Sequence, residues 1–545
     1  MSTGPTSAAG RLVHAVRRAW WILVVLVRSG MIAPMRPDKY LRQWAAIRRY
    51  GTTPLSGLSL SAARSPHGTA LIDERGALTW SELDRRADAL AAALQELNTV
   101  ADGPVGILCR NHRGLVDALA ATSRAGQDAL LLNTGFSGPQ LAEVMIRENA
   151  RVIVYDEEFT TLVEVARLSI PGLVEILAWT DTPGAEVSVD GLIAANLGRR
   201  PPPTDRPGRV VLLTSGTTGT PKGARRSADG GAGALAAMFD RIPWRAEQKV
   251  VVAAPAFHAF GFGQVAVAFT LACPVVMRRR FDPEATLALV RDHDATGLAV
   301  VPVMIERIVD LPAEVLDRYP LPQLRFVTAS GSRMRPDAVT AFMDRFGDTI
   351  YNSYNATEAG LISTATPADL RVAPDTAGRP VAGSDVRILD EHGREVPPGE
   401  VGSIVVCNDS QFEGYTNGET KGFHERFMIS GDVGRFDGEG RLYVVGRDDD
   451  MIVSGGENVY PVEVEKCLQV HPSVRECAVI GVDDETFGQR LVAYVVPQPG
   501  GNPTEDDLKE HIRRSLASFK VPREVRFLDA LPRNDSGKVM ARTLG

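Results

Sequence analysis

Short apolar runs alternate with longer amphipathic stretches along most of the chain, from about residue 51 to residue 445. Runs rich in Val, Ile and Leu predict buried strands, and apolar residues at every third or fourth position predict helices. The predicted strands are residues 105–108, 152–155, 250–254, 274–277, 297–301 and 325–328, and the predicted helices include 113–124, 261–271 and 302–310. This alternation is typical of α/β domains with doubly wound, mostly parallel sheets, which bind ligands at the carboxyl ends of their strands.

The pattern changes after residue 446, where two longer strands (474–482 and 491–496) precede a helix at 504–516. This order predicts a small α+β domain of about 100 residues. We therefore predict a large N-terminal domain at 51–445 and a small C-terminal domain at 446–545. A Pro- and Arg-rich segment at 198–208 is predicted to be an exposed connector.

Residues 1–50 form a leader with nine basic residues and one acidic residue, a net charge of +8, whereas the whole chain carries −7. Within it, residues 19–27 (AWWILVVLV) are uncharged but too few to span a membrane, which takes about 20. A buried helix and a basic, Trp-containing helix lying on an anionic membrane surface both fit this pattern. A signal peptide fits less well, because no small-residue cleavage site follows the apolar run.

Composition excludes several classes of protein. Hydrophobic residues make up 44% of the chain and charged residues 23%, as in globular proteins. The net charge of −7 gives no case for nucleic-acid binding. The five cysteines contain no Cys-x-x-Cys pair and the nine histidines form no ligand motif, so we expect a reducing, cytoplasmic setting without a zinc site.

The most informative segment is residues 214–223 (TSGTTGTPKG), which follows an apolar run at 209–213. A Ser-, Thr- and Gly-rich turn after a strand gathers backbone N–H groups and hydroxyls in one concavity, which suits phosphate groups. The P-loop signature is absent, because Lys222 stands between Pro221 and Gly223. The alternative interpretation is an ordinary surface turn.

Four further motifs follow in the chain: YNATEAG at 354–360, SGDVG at 430–434, GRDDD with SGGEN at 446–458, and PRNDSGKVMAR at 532–542. The first follows a predicted strand at 349–351 and offers a carboxylate at the strand end, which suits Mg²⁺ bound to phosphate. The second offers an aspartate for ribose hydroxyls. The third lies where the pattern changes and is a candidate hinge. The fourth offers a lysine near the end of the chain.

In this order and at these separations, the five motifs resemble those of the adenylate-forming superfamily, which includes acyl-CoA synthetases, peptide-synthetase adenylation domains and firefly luciferase. The resemblance covers about residues 55–545. The chain looks most like an actinobacterial fatty-acid–CoA ligase. The resemblance implies ATP and Mg²⁺ as cofactors, coenzyme A as co-substrate, and two half-reactions. A carboxylate first attacks the α-phosphate of ATP, and the CoA thiol then attacks the acyl-adenylate.

The resemblance also implies roles for individual residues. The phosphate loop (Thr214, Ser215, Gly216, Thr217, Thr218, Gly219 and Lys222) would hold the β- and γ-phosphates. Glu358 would bind Mg²⁺, Thr357 the α-phosphate, and Tyr354 with the Gly331–Ser332 loop the adenine. Asp432 and Arg447 would bind the ribose.

Lys538 would stabilise the charge that develops during adenylation, and His258 would gate the acyl carboxylate. The small domain would be a mobile lid that rotates about Asp449 after adenylation, and Gly455 and Gly456 would line the pantetheine channel. Ser332 and Arg333 depart from the small or apolar residues that are common in the adenine-side loop of the family.

The acyl pocket would lie between the His258 segment, the helix after residue 301 and the loop at 330–332. The helix at 261–271 carries small, apolar residues and no charge. A medium- or long-chain fatty acid is therefore favoured over an amino acid, although an ordinary buried helix has the same composition. Two alternatives are an acyl-AMP ligase that loads a carrier protein and a non-catalytic acyl- or nucleotide-binding protein. The leader would add association with the inner face of the plasma membrane.

Overall fold

The protein is described by a computed structural model. It describes residues 8–51, 53, 55–97, 103–181, 187–214, 222–225, 231–408, 410, 412, 414–416, 418, 420–448, 452–454, 457–484, 488–517, 520–534 and 537–544. The contacts between Cα atoms divide the chain into two units. The first unit comprises residues 1–374, 381–384 and 408–420, and the second comprises 375–380, 385–407 and 421–545.

The helices are α1 (Ala8–Ser29), α2 (Pro37–Tyr50), α3 (Ser56–Arg64), α4 (Trp80–Glu96), α5 (Arg113–Arg124), α6 (Gly138–Arg147), α7 (Thr160–Ser169), α8 (Val189–Ala195), α9 (Gly231–Arg241), α10 (Ala259–Thr270), α11 (Pro283–Asp292), α12 (Pro302–Val309), α13 (Ala313–Leu316), α14 (Pro336–Phe346), α15 (Pro367–Val372), α16 (Pro461–Gln469) and α17 (Glu505–Ser515). The strands of the first half are β1 (Thr69–Asp73), β2 (Gly76–Thr79), β3 (Val105–Leu108), β4 (Ala129–Leu131), β5 (Val152–Asp156), β6 (Val174–Trp179), β7 (Val210–Thr214), β8 (Lys222–Arg225), β9 (Val250–Val252) and β10 (Val275–Val276). The remaining strands are β11 (Gly297–Val300), β12 (Phe326–Ala329), β13 (Ile350–Ala356), β14 (Gly360–Ala365), β15 (Arg379–Pro380), β16 (Asp385–Leu389), β17 (Gly402–Cys407), β18 (Gly414–Tyr415), β19 (Phe423–His424), β20 (Phe427–Phe436), β21 (Leu442–Arg447), β22 (Ile452–Ser454), β23 (Glu457–Val459), β24 (Val474–Asp484), β25 (Gly488–Pro497) and β26 (Glu524–Phe527).

Two largely parallel sheets organise the first unit. In one, β13, β12, β11, β9, β10 and β1 run parallel in that spatial order, with β14 antiparallel to β13 and β2 antiparallel to β1. In the other, β7, β4, β3, β5 and β6 run parallel, and β8 and β18 extend it beyond β7 in antiparallel pairing. The predicted doubly wound α/β class is confirmed.

Both sheets contribute to one hydrophobic core. Leu83 of α4 and Leu115 of α5 are fully buried in the same cluster as Val105 of one sheet and Val250 of the other. Helix α4 begins at a capping box, in which Thr79 and Glu82 bond each other's backbone N–H groups. Such caps provide hydrogen-bond acceptors for the backbone N–H groups of the first helical turn. A helix can therefore begin beside buried strands without leaving those N–H groups unpaired.

The second unit contains two smaller sheets. One is formed by β16, β17, β20 and β19, with β21 added on β20. The other is formed by β23, β22, β25 and β24, with β26 parallel to β25. Helices α16 and α17 pack against this last sheet through Val464, Leu468, Leu508 and Ile512. The domain boundary at residue 446 remains a prediction. Strands β20 and β21 begin before that residue but belong to the same unit as the C-terminal sheet.

Candidate active site

The phosphate-loop motif lies between two paired strands. Thr214, the last residue of β7, is the register partner of Lys222, the first residue of β8. The chain therefore leaves β7 after Thr214 and returns as β8, which runs antiparallel beside β7. The sequence did not predict this pairing. Residues 215–221, with the predicted ligands Ser215, Gly216, Thr217, Thr218 and Gly219, lie outside the described residues, and their roles remain predictions.

Glu358 is joined to this hairpin through Tyr415. The Tyr415 hydroxyl donates a hydrogen bond of 2.6 Å to Glu358 Oε1. Tyr415 belongs to β18, which pairs with β8, and the backbone N–H of Thr416 donates to Gly223 O at 2.8 Å. The backbone N–H of Phe412 also donates to Glu358 O at 2.8 Å. One short segment thus connects the candidate magnesium ligand to the strand that follows the phosphate loop.

Thr357 and Glu358 lie in the turn between β13 and β14. Sequence analysis ended the preceding strand at residue 351, which was wrong, because antiparallel pairing with β14 extends β13 to Ala356. The register shifts between Tyr354 and Asn355, as in a β-bulge, which bends a strand and re-aims its side chains. Tyr354 and Asn355, which the sequence places after the strand, therefore lie within it.

The adenine-side loop meets β13 through a side-chain hydrogen bond. Asn355 Nδ2 donates to Ser330 Oγ at 3.0 Å, and Ser330 is buried directly after β12. Gly331 has a φ of +107°, a conformation that L side chains rarely adopt. The structure thus places the Gly331–Ser332 loop, which follows β12, beside the part of β13 that contains Tyr354, and the roles of these residues at the adenine remain predictions.

His258 precedes α10, at the carboxyl end of β9. Buried Asn111, after β3 of the other sheet, holds this segment in place. Its Nδ2 donates to Val252 O (3.3 Å) and Ala254 O (2.9 Å), and its Oδ1 accepts from Ala256 N at 2.8 Å. Sequence analysis missed Asn111, because a lone asparagine in a loop gives no signal of such a role.

The second unit brings together the two predicted ribose ligands. Asp432 on β20 and Arg447 on β21 are register partners, with Arg447 Nε 3.8 Å from Asp432 Oδ1. Ser430 Oγ accepts from the backbone N–H of Asp432 at 3.0 Å and donates to Ile404 O at 2.7 Å. The backbone of the aspartate is therefore held in place within β20, next to Gly431, which has a φ of +85°.

Lys538 is exposed on a loop that its neighbours hold in shape. Asn534 Oδ1 accepts from the backbone N–H of Lys538 at 2.8 Å. Arg533 donates to Gly537 O at 2.8 Å and to Glu476 Oε2 of β24 at 2.8 Å. The ion pair anchors the loop to the small sheet. Three other predicted residues, Asp449, Gly455 and Gly456, lie outside the described residues.

The chain matches known proteins over nearly its whole length. Residues 58–416 match the protein family described as AMP-binding enzyme, and residues 463–538 match its C-terminal domain. The chain belongs to the AMP-binding enzyme family. This assignment confirms the adenylate-forming fold, with a large N-terminal and a small C-terminal domain.

Its relatives within the AMP-binding enzyme family differ in the acids that they are named for. A feruloyl-CoA synthase of Amycolatopsis is 32% identical over 88% of this chain and 96% of its own length. A fatty acid–[acyl-carrier-protein] ligase, ScoC, of Streptomyces coeruleorubidus is 29% identical over 89% and 94%. The structure of o-succinylbenzoate CoA synthetase from Bacillus subtilis, in complex with its acyl-adenylate, superposes with a TM-score of 0.76 at 25% identity, covering 90% and 97%.

Adenylate-forming CoA ligases of the AMP-binding enzyme family use ATP, Mg²⁺ and coenzyme A, so this chain is an ATP-dependent acid–thiol ligase. Glu358 fits a magnesium ligand, because a carboxylate at the carboxyl edge of a parallel sheet offers the hard oxygen that Mg²⁺ prefers. Mg²⁺ bound there would neutralise phosphate charge. Tyr415 would hold the carboxylate in one orientation.

A buried cluster of Cys109, His112 and Asp156 was not expected from the sequence. His112 Nε2 lies 2.7 Å from Asp156 Oδ1, and His112 Nδ1 accepts from the backbone N–H of Gly114 at 3.0 Å. Burial and the nearby Asp156 raise the pKa of the Cys109 thiol, which keeps it protonated. His112 therefore caps α5 through Nδ1, and both of its imidazole nitrogens have partners within the protein.

We predict that Tyr415→Phe raises the KM for MgATP about tenfold with little change in the unfolding midpoint. A hydrogen bond to a charged group is worth about 1.5–3 kcal/mol, and its loss here frees Glu358 to rotate. Steady-state kinetics at varied MgATP would measure the effect. Tyr319→Phe is the matched control, because Tyr319 also donates to a glutamate, Glu284, at 2.9 Å, away from the candidate site. Equal KM values for the two variants would contradict the positioning role of Tyr415.

Proposed function

We propose that this chain activates a medium- or long-chain fatty acid through an acyl-adenylate to acyl-CoA, with release of AMP and pyrophosphate. The observation that carries the proposal is the Tyr415–Glu358 hydrogen bond, which joins the turn at residues 357–359 to the hairpin that bears the phosphate loop. A carboxylate held beside the strand that follows the predicted phosphate loop would suit a metal–triphosphate substrate.

The proposed reaction has two steps. An oxygen of the acid attacks the α-phosphorus of ATP, and the bond to the β,γ-pyrophosphate breaks. The thiol sulfur of coenzyme A then attacks the acyl carbon, AMP leaves, and the thiol proton passes to solvent. In the first step Lys538 would stabilise the developing negative charge, as preorganised cations do in water-poor sites. Asp432 and Arg447 would orient the ribose.

The wall that α10 would form in the proposed acyl pocket is uncharged and mostly apolar. The partly exposed face of α10 carries Ala259, Phe260, Gly263 and Thr270, and no charged residue occurs in this helix. A Cβ added at Gly263 would meet no atom within 4 Å, so the helix borders open space there. A Cβ added at Gly331 would lie 3.8 Å from Val301 Cγ1. The loop at 330–332 and the start of α12, which are the other two walls of the proposed pocket, are therefore adjacent. An uncharged, open wall supports an alkyl chain as substrate.

We predict that Gly263→Leu lowers kcat/KM for long-chain acids about tenfold or more and leaves short-chain acids nearly unaffected. The leucine side chain would occupy the open space, while replacing a helical glycine stabilises the helix by about 0.5–1 kcal/mol. A loss confined to long acids would therefore not come from unfolding. Kinetics over an acid series would measure it, with Gly438→Leu as the control at an open position outside α10. A uniform loss over all chain lengths would place the acyl chain elsewhere.

The proposed function is tested by a pyrophosphate-release screen over short- to long-chain fatty acids and aryl acids, with and without coenzyme A. We expect release with fatty acids, and an acyl-CoA product only when coenzyme A is present. Selective turnover of aryl acids would replace the fatty acid as the substrate class. ATP binding without pyrophosphate release from any acid would support a non-catalytic binding protein.

A carrier protein as acyl acceptor is the second candidate function. It is supported by the similarity to the fatty acid–[acyl-carrier-protein] ligase over 89% of the chain. Single-turnover reactions that offer either coenzyme A or a phosphopantetheinylated carrier protein to the preformed adenylate would decide between the acceptors.

A further inference from the structure

Helices α1 and α2 carry an unusual concentration of exposed apolar side chains. Twelve of the twenty-three exposed large hydrophobic residues among those described lie between Leu12 and Ile47. Monomeric proteins rarely leave large contiguous apolar patches in water, and such patches mark sites of interaction. None of the described helices is long and apolar enough to cross a membrane.

The exposed residues of α1 form one stripe. At 3.6 residues per turn, Trp20 and its exposed apolar neighbours fall within an arc of about 120°. The stripe consists of Leu12, Val13, Val16, Trp20, Leu23, Val24 and Val27. The opposite face of the C-terminal half of α1 is attached to the first unit, because Val25 and Leu26 are buried in its core and the backbone N–H of Ala246 donates to Ser29 O at 2.8 Å. Leu23, Val24 and Val27 are therefore held facing outwards, and every residue from Leu12 to Trp20 is exposed.

Helix α2 reverses the usual arrangement of a surface helix, which packs its apolar face inwards. Its inner face makes polar contacts: Lys39 donates to Arg64 O at 2.6 Å and Gln43 to Leu60 O at 3.2 Å. No residue of α2 is buried. Its exposed apolar side chains are Tyr40, Leu41, Trp44 and Ile47. Exposure of these side chains to water is costly, and burial against an apolar partner would remove that cost.

Basic residues accompany both apolar faces. Exposed Arg17 and Arg28 lie along one edge of the stripe of α1, and Arg48 of α2 lies over the Trp44 ring at 5.4 Å. Apolar and aromatic side chains flanked by arginines fit a bilayer surface, where tryptophan prefers the headgroup level and cations attract anionic lipids. A second copy of this chain would bring like charges together.

We propose that α1 and α2 form a docking surface for anionic lipid bilayers, with Trp20 and Trp44 inserted at the interface. The surface lies outside the candidate active site, so the proposal stands independently of the acid that the enzyme activates. A docked enzyme would receive apolar acids directly from the bilayer in which they partition.

Vesicle flotation of the full chain tests the proposal, with phosphatidylcholine vesicles that either contain or lack phosphatidylglycerol. We expect binding to the anionic vesicles, lowered about tenfold for each tryptophan replaced in W20A/W44A. R17Q/R28Q/R48Q should lose about fivefold per arginine on anionic vesicles only. Leu168→Ala is the matched control, because Leu168 is an exposed apolar residue (87%) on α7.

Trp20 and Trp44 are 67% and 60% exposed, so their replacement should leave the unfolding midpoint unchanged. Brominated lipids should quench tryptophan fluorescence in the wild type and not in W20A/W44A. Absence of wild-type binding to anionic vesicles would overturn the proposal. So would equal binding of W20A/W44A and the Leu168→Ala control, or a dimer in light scattering that W20A/W44A dissociates while vesicle binding is absent.

Discussion

Replacing Lys538 by alanine should lower the rate of acyl-adenylate formation by about two to three orders of magnitude, the usual effect of removing one electrostatic donor from a transition state. The side chain is exposed and its loop is held by Arg533 and Asn534, so the variant should fold normally. ATP–pyrophosphate exchange would measure the loss, and thermal unfolding would show the fold intact. Thioester formation from a chemically prepared acyl-adenylate should be much less affected.

Two further variants sharpen this test. Lys509→Ala removes a lysine of the same unit, which pairs with Glu505 at 2.6 Å on the surface of α17, and should leave exchange nearly unchanged. Arg533→Ala frees the loop from Glu476 and Gly537 O and should give an intermediate loss, because the lysine is present but no longer held. Near-wild-type exchange in Lys538→Ala would assign the charge stabilisation to another group.

The second large effect is expected from Glu358→Gln, which should lower pyrophosphate release about a hundredfold and shift its magnesium dependence to higher concentration. The amide keeps the shape of the side chain and can still accept from Tyr415, so the change removes mainly the charge. A hard divalent cation binds a neutral amide oxygen more weakly than a carboxylate. Magnesium titrations at saturating ATP would measure the shift.

Asp317→Asn is the control for this variant, because it breaks an exposed ion pair with Arg345 in the same unit and should leave activity unchanged. If Glu358→Gln lowered activity with an unaltered magnesium dependence, the carboxylate would act on something other than the metal.

The fold class followed from local pattern because each buried strand is a compact Val-, Leu- or Ile-rich run. Strands β3, β5 and β11 and helices α5 and α12 lie within a residue or so of their predicted bounds. The motifs were informative for a different reason. Chemistry restricts which residue types can bind phosphate, metal or ribose. The order of the five motifs along the chain therefore carries information that no single motif has.

The contacts that hold the site together could not be predicted, since they join residues far apart in sequence. Tyr415 lies 57 positions from Glu358, and Asn111 lies 145 positions from Ala256. The length of β13 depended on pairing with β14, and the return of the phosphate loop as β8 depended on pairing with β7. The strand propensities of individual residues do not predict such partners, because strand pairing depends on the tertiary context.

The attachment of β18 to β8 has a consequence for protein engineering. A chimera that takes residues 210–225 from one relative and residues 414–416 from another would combine a hairpin with a neighbouring strand that did not evolve beside it. The Tyr415 hydroxyl would then meet Glu358 only by coincidence of backbone shape. In recombination libraries for this enzyme, these two segments and the turn at residues 357–359 should be taken together from the same parent.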